Sequence, residues 1–327
     1  MKKYMKPMII VFILLLVISA GAYTAVLGGV FENGGADNCI FTSEGKLYLY
    51  TASKGEISQL EVPEGSYNAS LSGDRRYISV LSGVYKNDEA VNYSITVYDL
   101  HERKAITNGI DSPSVNRSDA IMDAVWLGDT VLLKCHLNPD NSLFAIADPF
   151  TGKVSDKFSG ALLKLIPQRN TYLYRSTYAK FKDEPQHLYL GKKEVYTTEP
   201  GISVYDLAIN EKGDKVCFFE LNEWDCNNAY LVSAVLLEDG FGEITKTPVD
   251  YFDVQRGLWF KDEEICLIRG MEYSIFSEEK GSFIDAGRLS NEEDEELTQQ
   301  KIKLFIERLK NYGIDSQNIS YQIWFNK

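Results

Sequence analysis

From Cys39 onward the chain sets short runs of alternating apolar and polar residues between compact polar turns, and the arrangement recurs. Strict alternation over four to eight residues is the mark of a half-buried strand, because successive side chains point to opposite faces. Turns stand at Gly73-Asp74-Arg75, Gly128-Asp129, 167–170, Lys212-Gly213-Asp214 and Lys261-Asp262-Glu263. After each comes a stretch rich in aromatic and β-branched residues, beginning near Tyr77, Val131, Tyr172, Val216 and Ile265. The turns sit between extended segments, as hairpins require.

These starts lie about 40 to 55 residues apart, near the period of a four-strand unit. Further strand patterns complete the units: 93–100 with 105–110, 143–147 with 153–158, 188–190 with 194–197, and 230–237 with 243–249. Four short antiparallel strands per unit suit a β-propeller better than a sandwich. Helical periodicity is almost absent before residue 290, which disfavours parallel α/β folds. The expected class is therefore all-β, an about six-bladed β-propeller, with five or seven blades as alternatives.

The first unit is a strand short, since 39–42, 47–51 and 57–62 supply only three before the next begins near Tyr67. At the other end Ile319, Tyr321, Ile323 and Phe325 alternate with Ser320, Gln322 and Trp324, so 319–325 reads as a strand that completes the first blade. Such closure hides two sheet edges at once. Before it lies the one convincing helix, 290–313. Ser290 with Glu293 forms a capping-box pattern, acids at 292–296 suit the positive helix end, and Gly313 stops it. Leu297, Ile302, Phe305, Leu309 and Tyr312 form an apolar stripe expected to pack on the outside or bottom of the propeller, with a partner helix or the membrane surface as alternatives.

The segments Leu71-Ser72-Gly73-Asp74-Arg75-Arg76-Tyr77-Ile78 and Ile209-Asn210-Glu211-Lys212-Gly213-Asp214-Lys215-Val216 resemble the strand-turn-strand repeats of the WD40-like and TolB-like β-propeller superfamily. The resemblance spans most of 39–287. The Gly-His of WD40 repeats is missing, and the only Trp-Asp, Trp224-Asp225, falls in an expected loop. What the resemblance implies is the fold, and it carries no catalytic residue over.

Ahead of the repeats, Lys2, Lys3 and Lys6 precede an uncharged run, 7–31, long enough to span a bilayer with the N-terminus cytoplasmic. The reading is a transmembrane signal-anchor over residues 1–31, a glycine-containing linker over 32–38, and an extracytoplasmic propeller over 39–327 at the cell membrane. Ala20-Gly21-Ala22 keeps cleavage open as the rival. With 47 acidic against 34 basic residues and a formal net charge of −13, the protein is unsuited to nucleic acid. Five cysteines make no disulfide framework. Cys217 and Cys266 read as small core residues, while pairing of Cys217 with Cys226, or a bridge to Cys39 or Cys135, stays open.

Chemistry is sparse. There are three histidines, His101, His136 and His187, and no nucleophile elbow, zinc-protease helix motif, phosphate-binding glycine loop or calcium loop. No cofactor and no metal is expected. A propeller glycosidase or lyase would need paired carboxylates, for which Asp123, Asp206 and Asp253 are candidates in expected innermost strands. The favoured reading is non-enzymatic: a protein, peptide or cell-envelope polymer bound by the loops joining second and third strands, at 85–92, 138–141, 178–187 and 222–228. These carry the aromatics Tyr85, Tyr178, Phe181 and Trp224 among the acids Asp88, Glu89, Asp183, Glu184 and Asp225. A sensor or assembly scaffold docking through the C-terminal helix is a further alternative.

Overall fold

The computed structural model describes residues 38–325 except 64–65, 87–88, 111–120, 139–140, 177–183, 223–228, 251–252, 254–256, 262, 270–271 and 289–291. The expected anchor therefore lies outside the described residues, as does the Ser290 cap. No helix among the described residues is long and apolar enough to cross a membrane.

The strands in chain order are β1 (Asn38–Ser43), β2 (Lys46–Thr51), β3 (Glu56–Leu60), β4 (Ser66–Leu71), β5 (Tyr77–Lys86), β6 (Glu89–Asp99), β7 (Lys104–Ile110), β8 (Ile121–Leu127), β9 (Thr130–Asn138), β10 (Asn141–Ala147) and β11 (Val154–Ile166). They continue as β12 (Thr171–Arg175), β13 (His187–Leu190), β14 (Lys193–Thr197), β15 (Ile202–Ile209), β16 (Lys215–Asn222), β17 (Ala229–Leu236), β18 (Phe241–Val249), β19 (Gly257–Lys261), β20 (Glu264–Arg269), β21 (Glu272–Ser277) and β22 (Ser282–Arg288). Helix α1 (Glu292–Tyr312) and β23 (Ile319–Phe325) end the chain.

Each sheet is a meander. Four-stranded sheets are formed by β4 to β7, by β15 to β18 and by β19 to β22, and a seven-stranded one runs from β8 to β14. Its centre is β11, whose N-terminal half pairs with β10 up to Gly160 and whose C-terminal half pairs with β12 from Ala161. The remaining sheet has the order β23-β1-β2-β3: the last strand supplies the innermost position, with Cys39 opposite Trp324 and Ile40 opposite Ile323.

Alternation gives the sheets apolar faces, and sheets that follow one another in sequence bury them against each other. In the closing sheet Ile40 and Leu47 meet Ala69, Ile78 and Val80 of the next sheet. That sheet in turn packs Leu81, Ile95 and Val97 on Ala124, Trp126 and Leu133. Phe144 and Leu132 meet Tyr172 and Tyr174 within the seven-stranded sheet. Leu173 and Leu188 meet Val204 and Phe218, and Phe219 with Leu231 meets Leu258 and Leu267.

Two of the turns expected from sequence share one device. In the β4–β5 turn Ser72 Oγ donates to Asp74 Oδ1 (2.6 Å) and accepts from the Tyr77 N–H (2.8 Å). In the β15–β16 turn Asn210 Oδ1 accepts from the N–H groups of Asp214 (3.0 Å) and Lys215 (2.9 Å). A short polar side chain thus satisfies turn amides that no strand can reach. Cys39, Cys135, Cys217 and Cys266 are buried, and burial pushes the Cys217 thiol up; Cys226 lies outside the described residues.

Helix α1 ends as its sequence predicts. Gly313, at φ +85°, donates to Lys310 O (3.2 Å), and the Ile314 N–H reaches Leu309 O (2.9 Å), the paired bonds of a glycine-terminated helix. Its site differs from the expected outer or bottom surface. Phe305 and Leu309 pack on Cys39, Phe41, Tyr48 and Tyr50, the face of the closing sheet opposite the one that meets β4 to β7. The Phe305 ring stands edge-on to Phe41 at 5.3 Å and tilted against Tyr50 at 5.1 Å. Tyr312, expected in the buried stripe, is 49% exposed.

Phe305→Ala is expected to cost about 3–5 kcal/mol, because it empties an aromatic site that the surrounding strands cannot refill. Denaturant unfolding should show the midpoint falling with little change in slope.

Candidate functional site

The connections between second and third strands emerge on one side of each sheet, as antiparallel meanders require. They are not uniformly long. The β5–β6 pairing continues to Lys86 opposite Glu89, so Tyr85 and Glu89 belong to a long hairpin instead of the expected loop 85–92. Likewise Asn138 pairs with Asn141, leaving a two-residue turn. Glu44 and Gly45, at φ +52° and +72°, make an equally tight turn in the closing sheet. The longer connections are 176–186, between β12 and β13, and 223–228, between β16 and β17. Asp88, Tyr178, Phe181, Asp183, Trp224 and Asp225 lie outside the described residues; Glu184 is exposed, and its carbonyl accepts from the Gly201 N–H (3.4 Å).

Between the strands that carry these two connections lies a concentration of buried polar groups that sequence reading missed. Arg175, at the end of β12, is 3% exposed and donates from Nη1 to Val204 O (2.6 Å). Gln186, fully buried, accepts the Val204 N–H on Oε1 (2.7 Å), while its own N–H goes to Thr198 Oγ1 (2.9 Å). Both main-chain groups of Val204 are thereby satisfied by side chains of the preceding unit. Val204 stands on β15, an innermost strand whose outer neighbour β16 leaves one edge unpaired, and such groups cannot be buried bare.

One step along, Glu220 of β16 is 4% exposed. Its Oε1 accepts from the Tyr196 hydroxyl of β14 (2.5 Å) and its Oε2 from Lys246 Nζ of β18 (2.7 Å). Burial, reinforced by Glu220, pushes the Tyr196 phenol up to about 12. Burial by itself would lower Lys246, but its bonds to Glu220 and Tyr196 outweigh that and hold it up at about 12. The sequence signal was a single acid inside Val216-Cys217-Phe218-Phe219-Glu220-Leu221, a pattern otherwise wholly apolar.

Two of the three candidate catalytic aspartates prove to serve the same edge-satisfying purpose. Asp206 sits at a bulge of β15 with φ +39°; Oδ1 accepts from the Leu207 N–H (2.8 Å) and Oδ2 from the Leu258 N–H of β19, the next innermost strand. Its two oxygens are occupied by backbone donors. Asp123 follows a bulge of β8 and accepts the Ala124 N–H (2.9 Å), while Asn68 of β4 donates to Met122 O beside it. Burial raises the Asp123 carboxyl, against the opposing pull of the Ala124 N–H and Lys134. Asp253 does not stand in an innermost strand: β19 begins at Gly257, and Asp253 closes a turn through its N–H to Asp250 O (2.9 Å). Residues 251–252 and 254–256 around it are among those not described.

No protein-family model matches the sequence, and no curated protein does. Among solved structures the fold is similar to dipeptidyl peptidase 4 of Porphyromonas gingivalis, at 12% identity and a TM-score of 0.52, over 80% of this chain and 46% of that one. It is also similar to the β-propeller domain of the Trilobed protease of Pyrococcus furiosus (13% identity, TM-score 0.47, 78% of this chain and 83% of that one). A third is the Dos1 propeller (10%, 0.44, 79% and 73%). The chain thus spans less than half the length of the dipeptidyl peptidase, and its structural neighbours are β-propeller proteins. The expectation that the protein is no enzyme is corrected here, since peptidases are among the structures that share its fold.

Asp206→Ala is expected to lose about 1–3 kcal/mol by leaving the Leu258 N–H without an acceptor. Thermal melts should register it. Tyr196 and Lys246, with ordinary values of 10.0 and 10.5, are both held higher in the folded protein, so their stabilisation is complete below pH 10 and lost as pH rises toward about 12. Alkaline unfolding followed by circular dichroism should begin at lower pH in Lys246→Met than in the parent.

Proposed function

We propose that the protein is a six-bladed β-propeller, tethered outside the cytoplasm by residues 1–31, that captures a basic peptide or protein segment on the face bearing the second-to-third strand connections. Dividing the seven-stranded sheet at Gly160, where β11 changes partners, turns five sheets into six blades of four strands. The observation that carries the binding reading is the fixed polar floor of Arg175, Gln186, Tyr196, Glu220 and Lys246 between the strands from which the two longest connections spring. Long connections on a rigid base are where recognition is usually built.

On this reading Tyr178, Phe181 and Trp224 supply aromatic anchors, with Tyr85 at the neighbouring hairpin. Asp88, Glu89, Asp183, Glu184 and Asp225 supply acids that favour cationic side chains by charge and cation–π attraction. The formal net charge of −13 acts in the same direction at longer range. The apolar stretch behind Lys2, Lys3 and Lys6 supports the tether.

The test is the double substitution Phe181→Ala with Trp224→Ala, assayed on an array of lysine- and arginine-containing peptides. Capture should disappear while the thermal melt is preserved. Undiminished capture by a folded variant overturns the assignment of the face.

A further inference from the structure

A second, separate site lies where helix α1 meets the β2–β3 turn, at the end of the closing sheet away from its β1–β2 turn. A cleft of about 250 Å³ opens there, lined by Gly55, Glu56, Ile57, Arg308, Asn311 and Tyr312. Gly55 has φ +62°, and the Arg308 guanidinium lies over it: a Cβ at position 55 would stand 3.1 Å from Nε and Nη2 and 3.2 Å from Cζ. The glycine suits the positive backbone φ, and its missing side chain leaves room for the guanidinium to lie close to the turn. A planar, permanently charged fork thus lies beside the turn.

Arg308 forms no ion pair among the described residues, although its charge acts on the neighbouring Tyr50 phenol, partly offsetting the rise that burial causes there. Among the described residues the side chains of Arg308, Glu56 and Asn311 make no hydrogen bond or ion pair, although Arg308 and Glu56 line one cleft with opposite charges. The other wall is apolar: Ile57 is half-buried, and the Tyr312 ring, 49% exposed, is steadied edge-on by Tyr48 at 6.1 Å.

We propose that this cleft binds a free α-amino acid, with Arg308 taking the carboxylate through its fork, Glu56 the ammonium group, and Ile57 with Tyr312 an apolar side chain. A guanidinium and a carboxylate that stay apart across a small cleft match a zwitterion, whose charges are fixed close together and of both signs. A plain carboxylate would leave Glu56 facing it unfavourably. Asn311 offers an amide donor beside Arg308 and adds to the carboxylate's bonds. The site is independent of the loop face, so either assignment can fail alone.

Isothermal titration of the full-length protein in detergent with L-leucine tests it, beside N-acetyl-L-leucine, which lacks the ammonium charge, and L-leucine methyl ester, which lacks the carboxylate. Leucine should bind saturably, each blocked form at least about tenfold more weakly, consistent with loss of one charge-assisted bond. Arg308→Gln should abolish the heat while melting as the parent does, and Arg308→Lys should restore it only in part. Absence of saturable leucine binding, equal binding of either blocked form, or full binding by Arg308→Gln overturns the proposal.

Discussion

Three strands cannot make a blade, and the whole arrangement turns on where the fourth comes from. The antiparallel pairing of β23 with β1 brings the two ends of the strand order together, so the closing sheet gains its innermost strand from the far end of the chain. An open β1 edge would present a row of unpaired amides and carbonyls, and an unpaired β23 would present another. Joining them removes both exposures. It also couples the first sheet to α1, because the helix and β23 are consecutive and both rest on that sheet.

What closure does for one sheet, polar side chains do for the innermost strands β8, β15 and β19. Every innermost strand keeps one edge that hydrogen-bonds to no strand of its own sheet. Asn68 and Ser70 serve β8 through Met122 O and the Trp126 N–H, Arg175 and Gln186 serve Val204 of β15, and Asp206 serves Leu258 of β19. In each case the donor or acceptor reaches from one unit to the next. Apolar burial between sheets gives the bulk of the stabilisation without direction, and these bonds add direction by fixing how adjacent innermost strands are offset.

This division explains what could be read from the sequence. Turn residues such as Ser72, Gly73 and Asp74 act within a few positions of themselves, so their role is local and visible, and the alternation from Ile319 to Phe325 marks a strand wherever it pairs. The Gly313 stop is local too. The polar residues between strands were legible as types but not as roles. Asp206 looked like a channel acid and is a backbone acceptor, because its partner Leu258 lies some fifty residues onward. Arg175, Gln186 and Glu220 drew no notice in single strands, since their partners sit in other units. The hairpin through Tyr85 and Glu89 was read as a loop because its polar tip hides pairing that is set by the opposite strand.

The same logic places the two proposed sites at opposite ends of the sheets. The loop face has a polar base that cannot shift without uncovering a buried carboxylate. The cleft beside Gly55 depends instead on the helix staying seated on Phe41 and Tyr50. The cleft therefore requires the closing sheet, with β23 in place, beneath the helix. The most direct measurement is a register-specific cross-link: Trp324→Cys sets a thiol opposite the native Cys39, and under mild oxidation the two should form an intrachain disulfide detectable by mass spectrometry of a protease digest. Phe325→Cys, opposite Asn38, should not bridge to Cys39. Absence of the Cys39–324 bridge in a folded variant, or bridging with equal yield from position 325, would contradict the closure on which the structure rests.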